Sequence, residues 1–125
     1  MILQRCQFGE VSKPEDFRPD ESGACGPGIY AMFYGDNRLR KYYSARGENT
    51  YSFEVPDRLV KKIGGLGRTS YQAIKDAIEI ESAKGYRVFI CKHVGIGIPA
   101  SKQIVILNSI YISNIKKIYD GKRKL

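Results

Sequence analysis

The apolar residues of this chain fall into short β-type clusters near both ends, while helical spacing is confined to the middle. That order narrows the fold class. Ile2 to Cys6 reads as a strand, followed by a polar loop with Pro14 and Pro19 and a helical turn after Ser12. A glycine-rich turn, Ser22-Gly23-Ala24-Cys25-Gly26-Pro27-Gly28, then feeds the extended segment Ile29 to Tyr34. Thr50-Tyr51-Ser52-Phe53-Glu54-Val55 alternates up to Pro56, so Tyr51, Phe53 and Val55 share one side of a strand. Tyr86 to Cys91, Gln103 to Leu107 and Ile110 to Tyr119 supply the later extended segments.

Helices belong between them. Asp36 or Asn37 caps a short basic helix from Arg38 to Ala45 that Gly47 ends, with Leu39, Tyr42 and Tyr43 on one face. Asp57 begins a turn of helix through Ile63. Thr69 or Ser70 starts the clearest helix, whose Ala73, Ile74, Ala77 and Ile78 form an apolar stripe and whose C-terminal glycine is Gly85. Val94 to Pro99 reads as a linker or hairpin arm. With no internal repeat, the order implies an α+β domain with mainly antiparallel pairing rather than a regular β-α-β alternation.

A chain of 125 residues is one domain's worth, assigned to residues 1–121 with a basic tail at 122–125. Apolar runs such as Ile104 to Leu107 fall far short of the roughly 20 residues needed to cross a bilayer, and no basic-then-apolar leader opens the chain. A cytoplasmic protein is expected. Cys6, Cys25 and Cys91 are widely spaced with His93 as the single histidine, which fits neither a zinc site nor a disulfide framework and reads as small buried thiols. Gly64, Gly65 and Gly67 lack the spacing of a phosphate loop.

The formal charge of +8 is unevenly placed. Residues 1–83 balance 12 Lys and Arg against 12 Asp and Glu, while residues 84–125 set 9 Lys and Arg against Asp120 alone. Such a surface suits either plain solvation or an anionic partner, whether nucleic acid, a phosphorylated small molecule or an acidic protein.

This order of segments resembles the ADP-ribosyltransferase fold, a split antiparallel β-sheet core with few helices, in its small bacterial and phage versions. Leu3-Gln4-Arg5-Cys6 stands where members carry Arg or His on the first strand. Gly26-Pro27-Gly28-Ile29-Tyr30, with Arg40-Lys41-Tyr42-Tyr43 after it, is similar to their glycine turn and following tyrosine helix. Gly85 to Val88, Lys102 to Asn108 and Ile112 to Lys116 resemble the closing motifs. The resemblance spans nearly the whole chain, and it rests on the conjunction of individually weak motifs.

The resemblance implies an enzyme that cleaves NAD and moves ADP-ribose onto a protein or nucleic-acid acceptor, as a phage or bacterial effector. Cofactor contacts would come from Arg5 on the pyrophosphate or adenosine side, Gly26 and Gly28 through close backbone approach, and Tyr30 stacked across the nicotinamide from Tyr42 or Tyr43. Catalysis would involve Tyr30 and Gln103. Gln103 departs from the family, because an acid usually stands there and Lys84 to Tyr119 contains neither Asp nor Glu. An amide can hold a ribose hydroxyl but supplies no charge to an oxocarbenium-like centre. NAD glycohydrolysis, or a non-catalytic basic binder of nucleotide or nucleic acid, are the competing expectations.

Overall fold

Strand β1 (Ile2–Gln7) alternates Leu3, Arg5 and Gln7 with Gln4 and Cys6, and the sheet is built outward from it. The computed structural model describes residues 1–21, 23, 25–64, 71–92 and 102–121, with the side chains of Lys92, Lys102 and Gln103 outside that description. β2 (Ile29–Phe33) and β3 (Asn49–Glu54) flank β1, both antiparallel to it. β7 (Ser113–Tyr119) pairs with β3 on one side. On the other, β6 (Lys102–Ile106), β5 (Val88–Lys92) and β4 (Val60–Ile63) extend the sheet beyond β2. The seven strands run in the order β4-β5-β6-β2-β1-β3-β7. With α1 (Asn37–Ala45) and α2 (Tyr71–Ala83), the described residues form a mixed α+β fold.

Pairing is antiparallel except between β4 and β5. The helical turn expected from Asp57 through Ile63 is shorter than its sequence suggests. A 3-10 turn, Asp57–Leu59, gives way to β4, which pairs parallel with β5 from Val60↔Val88 to Ile63↔Cys91. β4-α2-β5 is therefore a β-α-β unit inside the mainly antiparallel sheet. Two lysines in a four-residue strand carry little β signal of their own. Its partner arrives only after α2.

The sheet narrows at one place. β1 shares six register pairs with β3 but only Leu3↔Phe33 and Gln4↔Met32 with β2. Beyond them the two strands part, and this short seam divides β4-β5-β6-β2 from β1-β3-β7.

Each face of the sheet carries its own core. Leu3, Ile29, Phe53, Ile90, Ile104 and Ile106 pack on one face against Val11, Phe17 and Ile112. Phe17 meets Tyr51 edge-on at 6.1 Å and Phe53 at 5.1 Å. The Tyr51 hydroxyl donates to the Gly9 carbonyl at 2.6 Å and accepts from the Val11 N–H at 3.1 Å, so this buried phenol is satisfied. On the other face Ile74 and Ile78 of α2 pack with Ile63, Phe89, Cys91, Val105 and Cys25. Of the expected stripe, Ala77 is half-buried and Ala73 exposed. Gly85, at φ +105°, takes the backbone conformation that ends α2. All three cysteines are buried, with no disulfide between them.

Gly28 explains how β2 can enter so close to β6. A Cβ there would lie 2.5 Å from Val105 Cγ1 and 3.0 Å from the Ile106 carbonyl oxygen. Gly28→Ala is expected to cost about 2 kcal/mol by overpacking. Urea denaturation would record this as a lower midpoint with an unchanged slope.

α1 differs from its expected facing. Asp36 caps it by accepting from the Leu39 N–H at 3.2 Å. Ser44 is buried and Leu39, Arg40 and Tyr43 are half-buried, while Tyr42 is 60% exposed. The packed face thus turns through Arg40 and Ser44 rather than through Tyr42, because Arg40 stacks on the Tyr119 ring at 3.8 Å. His93, the 94–99 arm, Gly65, Gly67 and the 122–125 tail lie outside the described residues. Among the described residues no helix is long and apolar enough to cross a membrane.

Candidate functional site

Where β1 and β2 part, Arg5 fills the opening. Its Nη1 donates to the Tyr30 carbonyl at 2.6 Å, its Nη2 to the Arg18 carbonyl at 2.9 Å and its Nε to Gln7 Oε1 at 3.2 Å. The guanidinium takes over a carbonyl that a longer β1–β2 ladder would have satisfied. Burial lowers the pKa of Arg5, and Glu48 is the foremost of the groups opposing that shift. Of its five N–H groups, three are engaged by these bonds.

Tyr30 leaves β2 on the face opposite to Arg5, in step with Met32 and across from Val105. Arg5 and Tyr30 therefore meet through a backbone carbonyl and not ring to guanidinium. The Tyr30 hydroxyl is folded into its own glycine turn, donating to the Gly26 carbonyl at 2.7 Å and accepting from the Cys25 N–H at 2.8 Å. Burial pushes its pKa up to about 12. Gly23 leaves room for the ring, since a Cβ at that position would run into it. The turn thus holds the Tyr30 hydroxyl through its own backbone. Gly26 also borders a groove of about 560 Å³ between the turn and α2, lined further by Glu21, Lys75 and Glu79.

Tyr43 lies on the α1 side of the seam. Burial raises its pKa, and Glu48 and Cys6 add to the rise. Tyr42 packs edge-on against it at 5.2 Å, with its own ring in solvent. Tyr43 thus lies within electrostatic range of Glu48 and Cys6, Arg5 projects from the other face of β1, and Tyr30 is turned toward α2. Gln103 is in β6 opposite Cys91, and only its backbone is described.

The residue that sequence reasoning missed is Glu48. Its pKa is raised by burial, with Arg46 and Arg5 pulling the other way. Among the described residues, Glu48 Oε2, Ser44 Oγ and Arg40 Nε are buried without a hydrogen-bond partner, as is Glu81 Oε2 on α2. Glu48 and Arg40 are both near enough to Cys6 to act on its thiol, whose pKa burial raises. Cys6 Sγ is 3.2 Å from Thr50 Oγ1. Buried polar atoms left unpaired are costly, so a cluster of them marks a place where water or a ligand's polar groups would be held. The sequence does contain a signal. Glu48 immediately precedes β3, whose Asn49 pairs with Gln7 and Thr50 with Cys6, so the β1–β3 register puts it at the C-terminal end of β1 on the side of Cys6.

Against this geometry, comparisons with protein-family models, with curated proteins and with solved structures each return no match.

Proposed function

We propose that this chain consumes NAD as an ADP-ribosyltransferase, binding it at the seam between the two halves of the sheet and passing ADP-ribose to a macromolecular acceptor. The observation that carries this reading is Glu48, a carboxylate with one buried oxygen left without a hydrogen-bond partner and within electrostatic range of Arg5. A sheet that parts between β1 and β2 also supports the split-sheet resemblance.

In this reading the Arg5 N–H groups not engaged in the fold grip the pyrophosphate, and Tyr43 offers its ring to the nicotinamide. Heterolysis sends the electron pair of the ribose–nicotinamide bond to the departing neutral nicotinamide, which leaves positive charge on the ribose. Glu48, as carboxylate, faces that charge and receives the acceptor's proton as the acceptor bonds to C1 of the ribose. Gln103, on β6, orients a ribose hydroxyl. Tyr30 joins the nicotinamide only after its hydroxyl leaves the glycine turn, where Gly26 and Gly28 give the ligand access to backbone.

Incubation with NAD labelled in its adenylate half, with and without cell lysate, tests this. The expected result is nicotinamide release with label on macromolecules. Free ADP-ribose alone would reassign the chain as a glycohydrolase, and no turnover would leave a binding protein.

A further inference from the structure

We propose that the outer surface of α1, continued by β7, docks single-stranded nucleic acid. This rests on the transferase reading only in identifying the docked strand as the acceptor; the docking itself stands alone. α1 contains Arg38, Arg40 and Lys41 and no acid, with Arg46 immediately after it. β7 adds Lys116 and likewise contains no acid. Among the described residues, Arg38, Lys41, Arg46 and Lys116 form no ion pair, whereas the neighbouring Lys117 is neutralised by Glu10 at 2.6 Å and Asp120 at 3.2 Å. Of the nearby acids, Glu48 faces Arg46 electrostatically, and two others are occupied within the fold. Asp36 caps the helix, and Glu54 bonds Asn114.

The two elements form one surface. Arg40 stacks on Tyr119 at the end of β7, and Lys116 pairs with Ser52, next along β3 from Tyr51. Aromatic rings are set among these cations. Tyr34, just before α1, is 56% exposed, Tyr42 60% and Tyr119 43%. The Arg46 guanidinium lies 5.8 Å from the centre of the Tyr42 ring.

Cations explain an anionic partner, and the rings decide which one. An acidic peptide gains little from exposed tyrosines, and a membrane surface selects for apolar side chains that this face of α1 does not present. Bases freed from a duplex stack on such rings while their phosphates meet the neighbouring Arg and Lys. A duplex keeps its bases stacked internally. α1 is about 13 Å long by its helical rise, so with β7 it accommodates a few nucleotides.

Fluorescence anisotropy on the whole chain, without NAD, tests the proposal with a labelled 12-nucleotide oligodeoxyadenylate in low salt. Binding is expected to weaken as salt rises, with a log–log slope of about −0.7 for each phosphate contact. Arg38→Glu with Lys41→Glu should weaken binding at least about tenfold and flatten the salt slope. Tyr42→Ala should weaken it about tenfold with the slope kept, because stacking carries no counterion release. Lys84→Glu, after α2 in the other half of the fold, should change nothing. Circular dichroism and a urea midpoint for each variant exclude unfolding.

The proposal is overturned by absence of oligonucleotide binding, or by a Lys84→Glu effect equal to that of the α1 pair. It is also overturned if polyglutamate or anionic phosphatidylserine vesicles compete for the surface as strongly as unlabelled oligonucleotide. Oligonucleotide binding without nicotinamide release would sustain the docking surface and remove only the transferase reading. Nicotinamide release without oligonucleotide binding would do the reverse.

Discussion

Arg5→Ala is expected to destabilise the fold by about 3 kcal/mol and to lower the melting temperature by about 10 °C, among the largest effects of any single polar substitution here. The side chain closes the end of the β1–β2 ladder. Without it, the Tyr30 and Arg18 carbonyls and Gln7 Oε1 lose a charged donor at a half-buried position. Water reaches the exposed Arg18 carbonyl, but the Tyr30 carbonyl and Gln7 Oε1 are part-buried. Arg5→Lys should recover a minor part, since one ammonium cannot span two carbonyls and an amide oxygen in the geometry of a planar fork. Urea denaturation of the three proteins provides the measurement. If Arg5→Ala were as stable as the parent, the guanidinium would be dispensable to the seam.

Glu48→Gln is expected to lower nicotinamide release by about 10²–10³ while leaving the fold intact. The stability half of this expectation follows from the direction of the pKa shift. Burial raises the folded-state pKa of Glu48 above its unfolded value, so the folded chain holds the proton more tightly. The carboxyl therefore makes its full relative contribution below the ordinary glutamate range, and that contribution is lost as pH rises through the raised folded value. A neutral amide of the same size avoids this loss. The variant should be at least as stable as the parent at neutral pH, and its stability should vary less with pH in that window.

Activity should move the opposite way. If the carboxylate is the working form, parent turnover rises with pH through a midpoint above the usual glutamate value, and the Glu48→Gln protein lacks that limb. Denaturation midpoints from pH 4 to 8 and nicotinamide release over the same range separate the two effects. Unchanged turnover in Glu48→Gln would remove the carboxylate from the chemistry.

Much of the fold is legible where side chains alternate or repeat on a local scale. Tyr51, Phe53 and Val55 read as one face of β3 because three apolar residues two apart leave no other packing. Ile74 and Ile78 mark the buried side of α2 in the same way. Gly85 ends it where the sequence suggests. What depends on distant partners is not legible. β4 exists because β5 returns beside it after α2, and Lys61 and Lys62 conceal that. Tyr42 shares helical spacing with Tyr43, yet Tyr119, at the far end of the chain, draws Arg40 down and leaves Tyr42 outside.

The site is half legible for a related reason. Arg5, Tyr30 and Tyr43 stand out by their order along the chain, whereas strand alternation sets Arg5 and Tyr30 on opposite faces of the sheet. Glu48, the carboxylate of the proposed site, escapes a search confined to the final third because it comes from the turn before β3. Residue order also cannot show that Tyr30 turns its hydroxyl back onto Gly26.

The seam also governs how the molecule is assembled. β1, β3 and β7 make one half of the sheet, and β2, β4, β5 and β6 make the other, so the chain passes from half to half after β1, after β2, after β3 and again after β6. Neither half is a continuous stretch of sequence. A fragment ending before Ser113 would lack the strand that covers the outer edge of β3, and one beginning after Gln7 would lack the strand that joins β2 to β3. Proteolytic dissection should therefore yield no autonomous half. Because so many partners are far apart in sequence, folding is expected to be cooperative and slow, on the order of milliseconds to seconds, despite the modest length of the chain.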